Sequence, residues 1–248
     1  GGWMNISCAD YATIGGGCLN RANTVLSFVG GGGSNTSTGQ SSIIGGGRSN
    51  TTSNSYAAIF SGYANNSTGY ASTISGGYTN TASGCMSFIG GGCTNIASGI
   101  RSTIGGGITN TASGNCSSIG GGSGNLASGL FSSVAGGVSN TASSTRAFVG
   151  GGISNTASAY NTTVSGGYGN SATGTGAVVG GGYSNAAISW GSVVVGGTNN
   201  TSCGPYKAAV VGGGSNTASG YYSFIGAGYN NIICGIYAST ISGGYQNR

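Results

Sequence analysis

Large aliphatic residues recur along this chain at a fixed interval of fifteen. Ile14, Val29, Ile44, Ile59, Ile74, Ile89, Ile104, Ile119, Val134, Val149, Val164, Val179 and Val194 mark the column, and two positions before each stands only Ala, Ser or Thr. A further small residue, such as Ala82, Ala97, Ala112 or Ala157, precedes the aliphatic by seven. Each phrase opens with Asn and averages N-T-A-S-G-x-x-S-T-I-G-G-G-x-x. Because successive side chains of a strand point to opposite faces, places three, eight and ten of the unit look inward, and places two, four and nine outward. The pattern predicts two short strands per unit, at places two to four and eight to eleven. Turns at the fifth and at the twelfth to thirteenth places part them, both marked by Gly, which reaches positive φ without a Cβ penalty.

The register runs almost end to end: Asn5, Asn20, Asn35, Asn50, Asn65, Asn80, Asn95, Asn110, Asn125, Asn140, Asn155, Asn170, Asn185 and Asn200, then Asn216, Asn231 and Asn247 after single insertions near Lys207 and Ala238. Sixteen units and a stub of one short period imply a stacked architecture, each unit burying its apolar face against its neighbours. The expected fold is all-β: one repeat domain over residues 1–248, a thin parallel β-solenoid of about sixteen 15-residue coils. Coils stacked at about 4.8 Å give a rod on the order of 75 Å. The recurrent Asn, from Asn20 to Asn200, fits an internal ladder of stacked amides of the kind found in cross-β packing.

Composition removes the alternatives. With 57 Gly, one Pro and 3% charged residues in 248, the rest largely Ser, Thr, Asn and Ala, helices are disfavoured. Gly does not fall at every third place, which excludes collagen, and a disordered linker has no reason to hold apolar residues in register. There is no His, and Asp10 is the sole acid, so neither a carboxylate pair nor a base-assisted nucleophile can be assembled. The reading is of a protein that is not an enzyme, with no cofactor and no metal site. None of the Gly-Gly-Gly runs continues into Gly-Lys-Ser/Thr, so they are turns and not phosphate loops. The net charge of +5 comes from cations dispersed along the chain, Arg21, Arg48, Arg101, Arg146, Lys207 and Arg248, which argues against a nucleic-acid interface. No segment suits membrane insertion. Seven cysteines, an odd number, do not form a secreted disulfide framework; Cys8 with Cys18 and Cys85 with Cys93 share single coils, while Cys203 and Cys234 lie two coils apart.

Phrases such as "STIGGGITNTASG" and "SFIGGGCTNIASG" resemble the head repeats of trimeric autotransporter adhesins, and related repeats in phage and giant-virus fibre proteins. The resemblance covers the whole chain. It implies a parallel β-roll, left-handed in those heads, assembled as a homotrimer that projects from a cell or particle and binds host surfaces. The unit here is fifteen residues where that family has fourteen, and its large aliphatic lies in phase with the small inward Ser.

Function is therefore sought on the outer face. The reading is a fibre or adhesin shaft or head, extracellular, on the surface of a virion or cell; a self-assembling filament or sheath and an ice-binding solenoid are the alternatives. For ice binding, Thr36, Thr51, Thr81, Thr111, Thr141 and Thr156 share the outward second place, which Arg21, Ile96 and Leu126 interrupt. Tyr63 with Tyr78, Tyr168 with Tyr183, and Tyr229 with Tyr245 occupy the fourteenth place of adjacent coils, so their rings are expected to stack about 5 Å apart and to offer sugar or receptor contacts. Phe28, Phe88, Phe148 and Phe224 at the ninth place are candidates for a subunit seam. Sequons at Asn66, Asn115, Asn161 and Asn199 use outward or turn residues open to glycosylation, whereas those at Asn35, Asn50 and Asn200 use the ladder Asn and are expected bare. The chain opens and closes in mid-phrase, which suggests a segment of a longer fibre protein or a unit that stacks end to end.

Overall fold

The computed structural model describes residues 1–235 and 237–248, which fall into two compact units, residues 1–124 and 125–248. Each unit is a parallel β-solenoid of eight coils, and the described residues contain no helix. The coil at residues 80–94 shows how the unit of sequence becomes a unit of structure. Its strands are only two residues long, Thr81–Ala82 and Phe88–Ile89, shorter than the runs the pattern predicts. Thr81 and Ala82 pair in parallel register with Asn66 and Ser67 on one side and with Ile96 and Ala97 on the other. Phe88 and Ile89 pair likewise with Thr73 and Ile74 and with Thr103 and Ile104. A third, single-residue ladder, not foreseen in the sequence, runs through the fourteenth place, from Tyr63 to Tyr78, Cys93 and Ile108. The unit at residues 125–248 repeats the scheme, with Val164 paired to Val149 and Val179 and a fourteenth-place ladder through Tyr168 and Tyr183.

Burial follows the predicted alternation. Asn80, Ala82, Gly84, Ser87 and Ile89 are buried while Ser83 and Phe88 are exposed. Only the tenth place is large, and burying one such Ile or Val contributes about 1.5–3 kcal/mol. Backbone polar groups are used in nearly the same way in each coil. The amides of Thr81, Phe88, Gly90 and Cys93 donate forward to Asn95, Ser102, Ile104 and Gly107 O, while Met86 and Thr94 donate back to Tyr70 and Tyr78 O, all at 2.8–2.9 Å.

The turn glycines divide the work differently from the sequence expectation. Left-handed backbone falls on ordinary residues at the seventh place, such as Met86 (φ 55), Arg101 (φ 55) and Phe131 (φ 56), and at the fifteenth, such as Thr79 (φ 50) and Thr94 (φ 57). Within a unit, stacking neighbours hold that conformation by a bond to the preceding coil, as from Met86 N to Tyr70 O and from Arg101 N to Cys85 O, both at 2.8 Å. Gly84, at the fifth place, lies outside the positive-φ region; it is needed because a Cβ there would sit 2.0 Å from Gly99 O. In the run of Gly90, Gly91 and Gly92 only the middle residue stands in open space; a Cβ on Gly90 would meet Gly105 O at 2.3 Å, and the last glycine alone has positive φ. Gly92 has φ 90, and a Cβ on it would meet Gly107 O at 2.1 Å and Asn95 Nδ2 at 2.8 Å, whereas a Cβ on Gly91 would meet nothing within 4 Å. The insertion near Lys207 is absorbed before Tyr206, which bridges Trp190, so that Lys207 takes the left-handed seventh place (φ 45) and Ala208 the buried eighth.

Candidate functional site

The interior of both units is filled by side chains, and its polar groups are the repeated Asn and the Ser and Thr hydroxyls of the third and eighth places. Asn80 Oδ1 accepts from Asn95 N at 2.9 Å, and its Nδ2 donates to Gly76 O of the preceding coil at 3.1 Å and to Gly92 O of its own coil at 2.9 Å. Amide-to-amide contact is an additional bond in some coils, as from Asn80 Nδ2 to Asn65 Oδ1 at 3.2 Å. Each side chain therefore staples the glycine turn of the preceding coil to that of its own coil, and the stacked amides expected from the sequence are the smaller part of what it does. The same scheme holds at Asn20, Asn35, Asn50, Asn65 and Asn95 in one unit, and at Asn140, Asn155, Asn170, Asn185 and Asn200 in the other. Asn110 and Asn125 are buried like the rest and donate through Nδ2 to Gly122 and Gly137 O at 2.9 Å. Asn35 and Asn50, buried with both amide atoms bonded, leave no room for a sugar.

Hydroxyls at the eighth place divide. Ser72 Oγ meets Gly69 O at 2.8 Å and Ser67 Oγ at 2.7 Å, while Ser87, Ser102, Ser117 and Ser132 bury Oγ atoms that have no partner.

Outward residues carry whatever chemistry the molecule presents. Tyr63 and Tyr78 stack at 5.3 Å with planes 8° apart, Tyr168 and Tyr183 at 5.0 Å and 6°, and Tyr229 and Tyr245 at 5.9 Å and 12°, every ring exposed. These spacings follow from the fourteenth-place ladder, which fixes the backbones beneath them at one strand separation. Phe28, Phe88, Phe148 and Phe224 are each about two-fifths exposed (39–40%) on the ninth-place face. Phe88 lies between Thr73 and Thr103, and Phe148 between Ser133 and Thr163, whereas Phe28 continues into Ile43 and Ala58, and Phe224 follows Val178, Val193 and Ala209, so the column alternates apolar runs with hydroxyl breaks. In the second-place column Thr runs are no longer than two coils, as at Thr36–Thr51 and Thr141–Thr156. Asn66 is half-buried and Asn115, Asn161 and Asn199 are exposed.

A second aromatic column was not visible in the sequence because the insertion near Lys207 shifts it out of register. Trp190, Tyr206, Tyr221 and Tyr237 follow one another along one edge with centroid separations of 5.6, 5.8 and 5.6 Å. Counting residues from the structural corner rather than from Asn would have revealed it.

All seven cysteines are free thiols. Burial, and secondarily the nearby Cys234, push the Cys203 thiol above its ordinary range. Among the described residues no three His, Cys, Asp or Glu side chains come together. No protein-family model matches this chain, and no curated protein is significantly similar to it.

Proposed function

We propose that this chain is a structural module of a fibre or adhesin, presented outside a cell or virion, which attaches to surfaces through the outer face of its coils and works as a homotrimer. The observation that carries this reading is the placing of exposed, parallel tyrosine pairs on a scaffold whose own interior is complete. Repeated backbone ladders hold each pair in a fixed mutual geometry before any ligand arrives, so little side-chain entropy is lost on contact. Flat aromatic faces beside glycine turns suit the C–H faces of sugars. The half-exposed phenylalanines support a subunit seam, since Phe rings left at two-fifths exposure gain by further burial.

Adherence of the purified chain to glycan-bearing cells is the direct test. Replacing Tyr63, Tyr78, Tyr168 and Tyr183 together by Ser is expected to reduce adherence while leaving the β-sheet circular dichroism unchanged. Unaltered adherence in that variant, or growth of the chain into end-to-end filaments in micrographs with no adherence at all, counts against the reading.

A further inference from the structure

One slot in the unit of residues 125–248 has a composition found nowhere else in the repeat. A cavity of about 360 Å³ opens between Tyr160 and Trp190, over Thr175 and Gly176. Both rings stand at the sixth place, two coils apart, about 9.6 Å along the ladder. The seventh place carries a side chain in every coil except at Gly176 and Gly191. Left-handed geometry does not explain these two glycines, because Arg146 (φ 56), Asn161 (φ 56) and Lys207 (φ 45) adopt it at the same place with side chains in position. Their effect is space. A Cβ on Gly176 would meet nothing within 4 Å, and one on Gly191 would press on Lys207 Cγ at 3.2 Å. Without that Cβ, Lys207 lies with Nζ 5.3 Å from the centroid of the Trp190 ring.

Cations attend both walls. Arg146 Nη1 donates to the Tyr160 hydroxyl at 2.7 Å, with its guanidinium carbon 5.8 Å from that ring's centroid. The only acidic side chain of the protein, Asp10, belongs to the other unit, so no carboxylate side chain of residues 125–248 neutralises Lys207 or Arg146. A ligand complementary to the slot brings a negative charge and an apolar ring face. Width selects the ring: a flat base in van der Waals contact with two walls needs about 7–8 Å between them, and a puckered ring with axial hydrogens needs more.

We propose that the slot between Tyr160 and Trp190 binds a carboxylated pyranose, its ring faces against the aromatic walls and its carboxylate on Lys207. Thr175 and Asn161 line the slot and supply a hydroxyl and an amide for the sugar hydroxyls. This site is separate from the tyrosine pairs of the attachment reading; it rests on that reading only for its biological use.

The test follows Trp190 fluorescence in a Trp3→Phe background, which removes the other indole. Titration with methyl glucuronide is expected to give a saturable change, and methyl glucoside about ten-fold weaker binding, the worth of one charge-assisted contact. Lys207→Gln should weaken the glucuronide about ten-fold and leave the glucoside unchanged. Gly176→Leu should abolish both responses, and the seventh place already holds a left-handed leucine at Leu26 (φ 61), so this variant is expected to fold. Equal binding of the two sugars, binding that survives Gly176→Leu, or preferential binding of a single-stranded oligothymidylate would each overturn the proposal. Cell adherence without any glucuronide response would overturn the slot and leave the attachment reading standing. A glucuronide response without adherence would do the reverse.

Discussion

At the scale of single residues, the Asn of each unit matters more than its size suggests. Replacing Asn80 by Ala would leave the Asn95 amide and the Gly76 carbonyl without these bonds, while Gly92 O keeps the Tyr78 amide. At about 1–3 kcal/mol for each of these two groups, Asn80→Ala is expected to lower the unfolding free energy by about 2–5 kcal/mol, read by urea denaturation. The eighth-place serines offer an internal control. Ser102 buries a hydroxyl with no partner, and Ala already fills the same place at Ala57 and Ala147, so Ser102→Ala should be neutral or stabilising. Ser72→Ala, which deletes two bonds, should cost about 1–2 kcal/mol. Equal effects of the two substitutions would show that hydroxyl pairing is irrelevant to this core.

At the scale of the coil, the glycine turn is the element that permits stacking. Gly92→Ala drives a methyl group into the Gly107 carbonyl, and the coils must separate locally to admit it, whereas Gly91→Ala points into open space. A loss of several kcal/mol, on the order of the 3 kcal/mol or more that severe backbone conflicts cost, is expected for the first and under 0.5 kcal/mol for the second. Comparable midpoints in thermal denaturation would contradict the geometry. Strands of only two residues tolerate little: each coil contributes one large buried side chain, and parallel register with both neighbours is set by that residue and by the Asn together.

At the scale of the whole molecule, the proposed homotrimer predicts a particle of three 23.6 kDa chains by light scattering. Phe88→Ser combined with Phe148→Ser places polar groups on the ninth-place face of each unit and should shift that mass to one chain, leaving the solenoid intact because both rings lie outside the core. A monomeric parent protein would remove the seam altogether, and the half-exposed phenylalanines would then be ordinary scattered surface residues.

Period and phase were set by the sequence alone. A fifteen-residue recurrence of Ile or Val, with small residues at fixed offsets and an Asn opening each unit, admits only stacked coils, since no other arrangement buries Ile74, Ile89 and Ile104 in one column. The tyrosine stacks were legible for the same reason: equal places in adjacent coils must lie one strand spacing apart. Three features depended on the tertiary structure. The left-handed corner at the seventh place is held by bonds to the coil before, so ordinary residues such as Arg101 occupy it and leave no glycine signature. Asn80 bonds mainly to glycine carbonyls four residues back and twelve ahead, a partnership that closes only when coils stack. Trp190, Tyr206, Tyr221 and Tyr237 align only once the insertion before Tyr206 is absorbed in the turn, because a one-residue excess is invisible to the ladders yet displaces every later residue in a count along the chain.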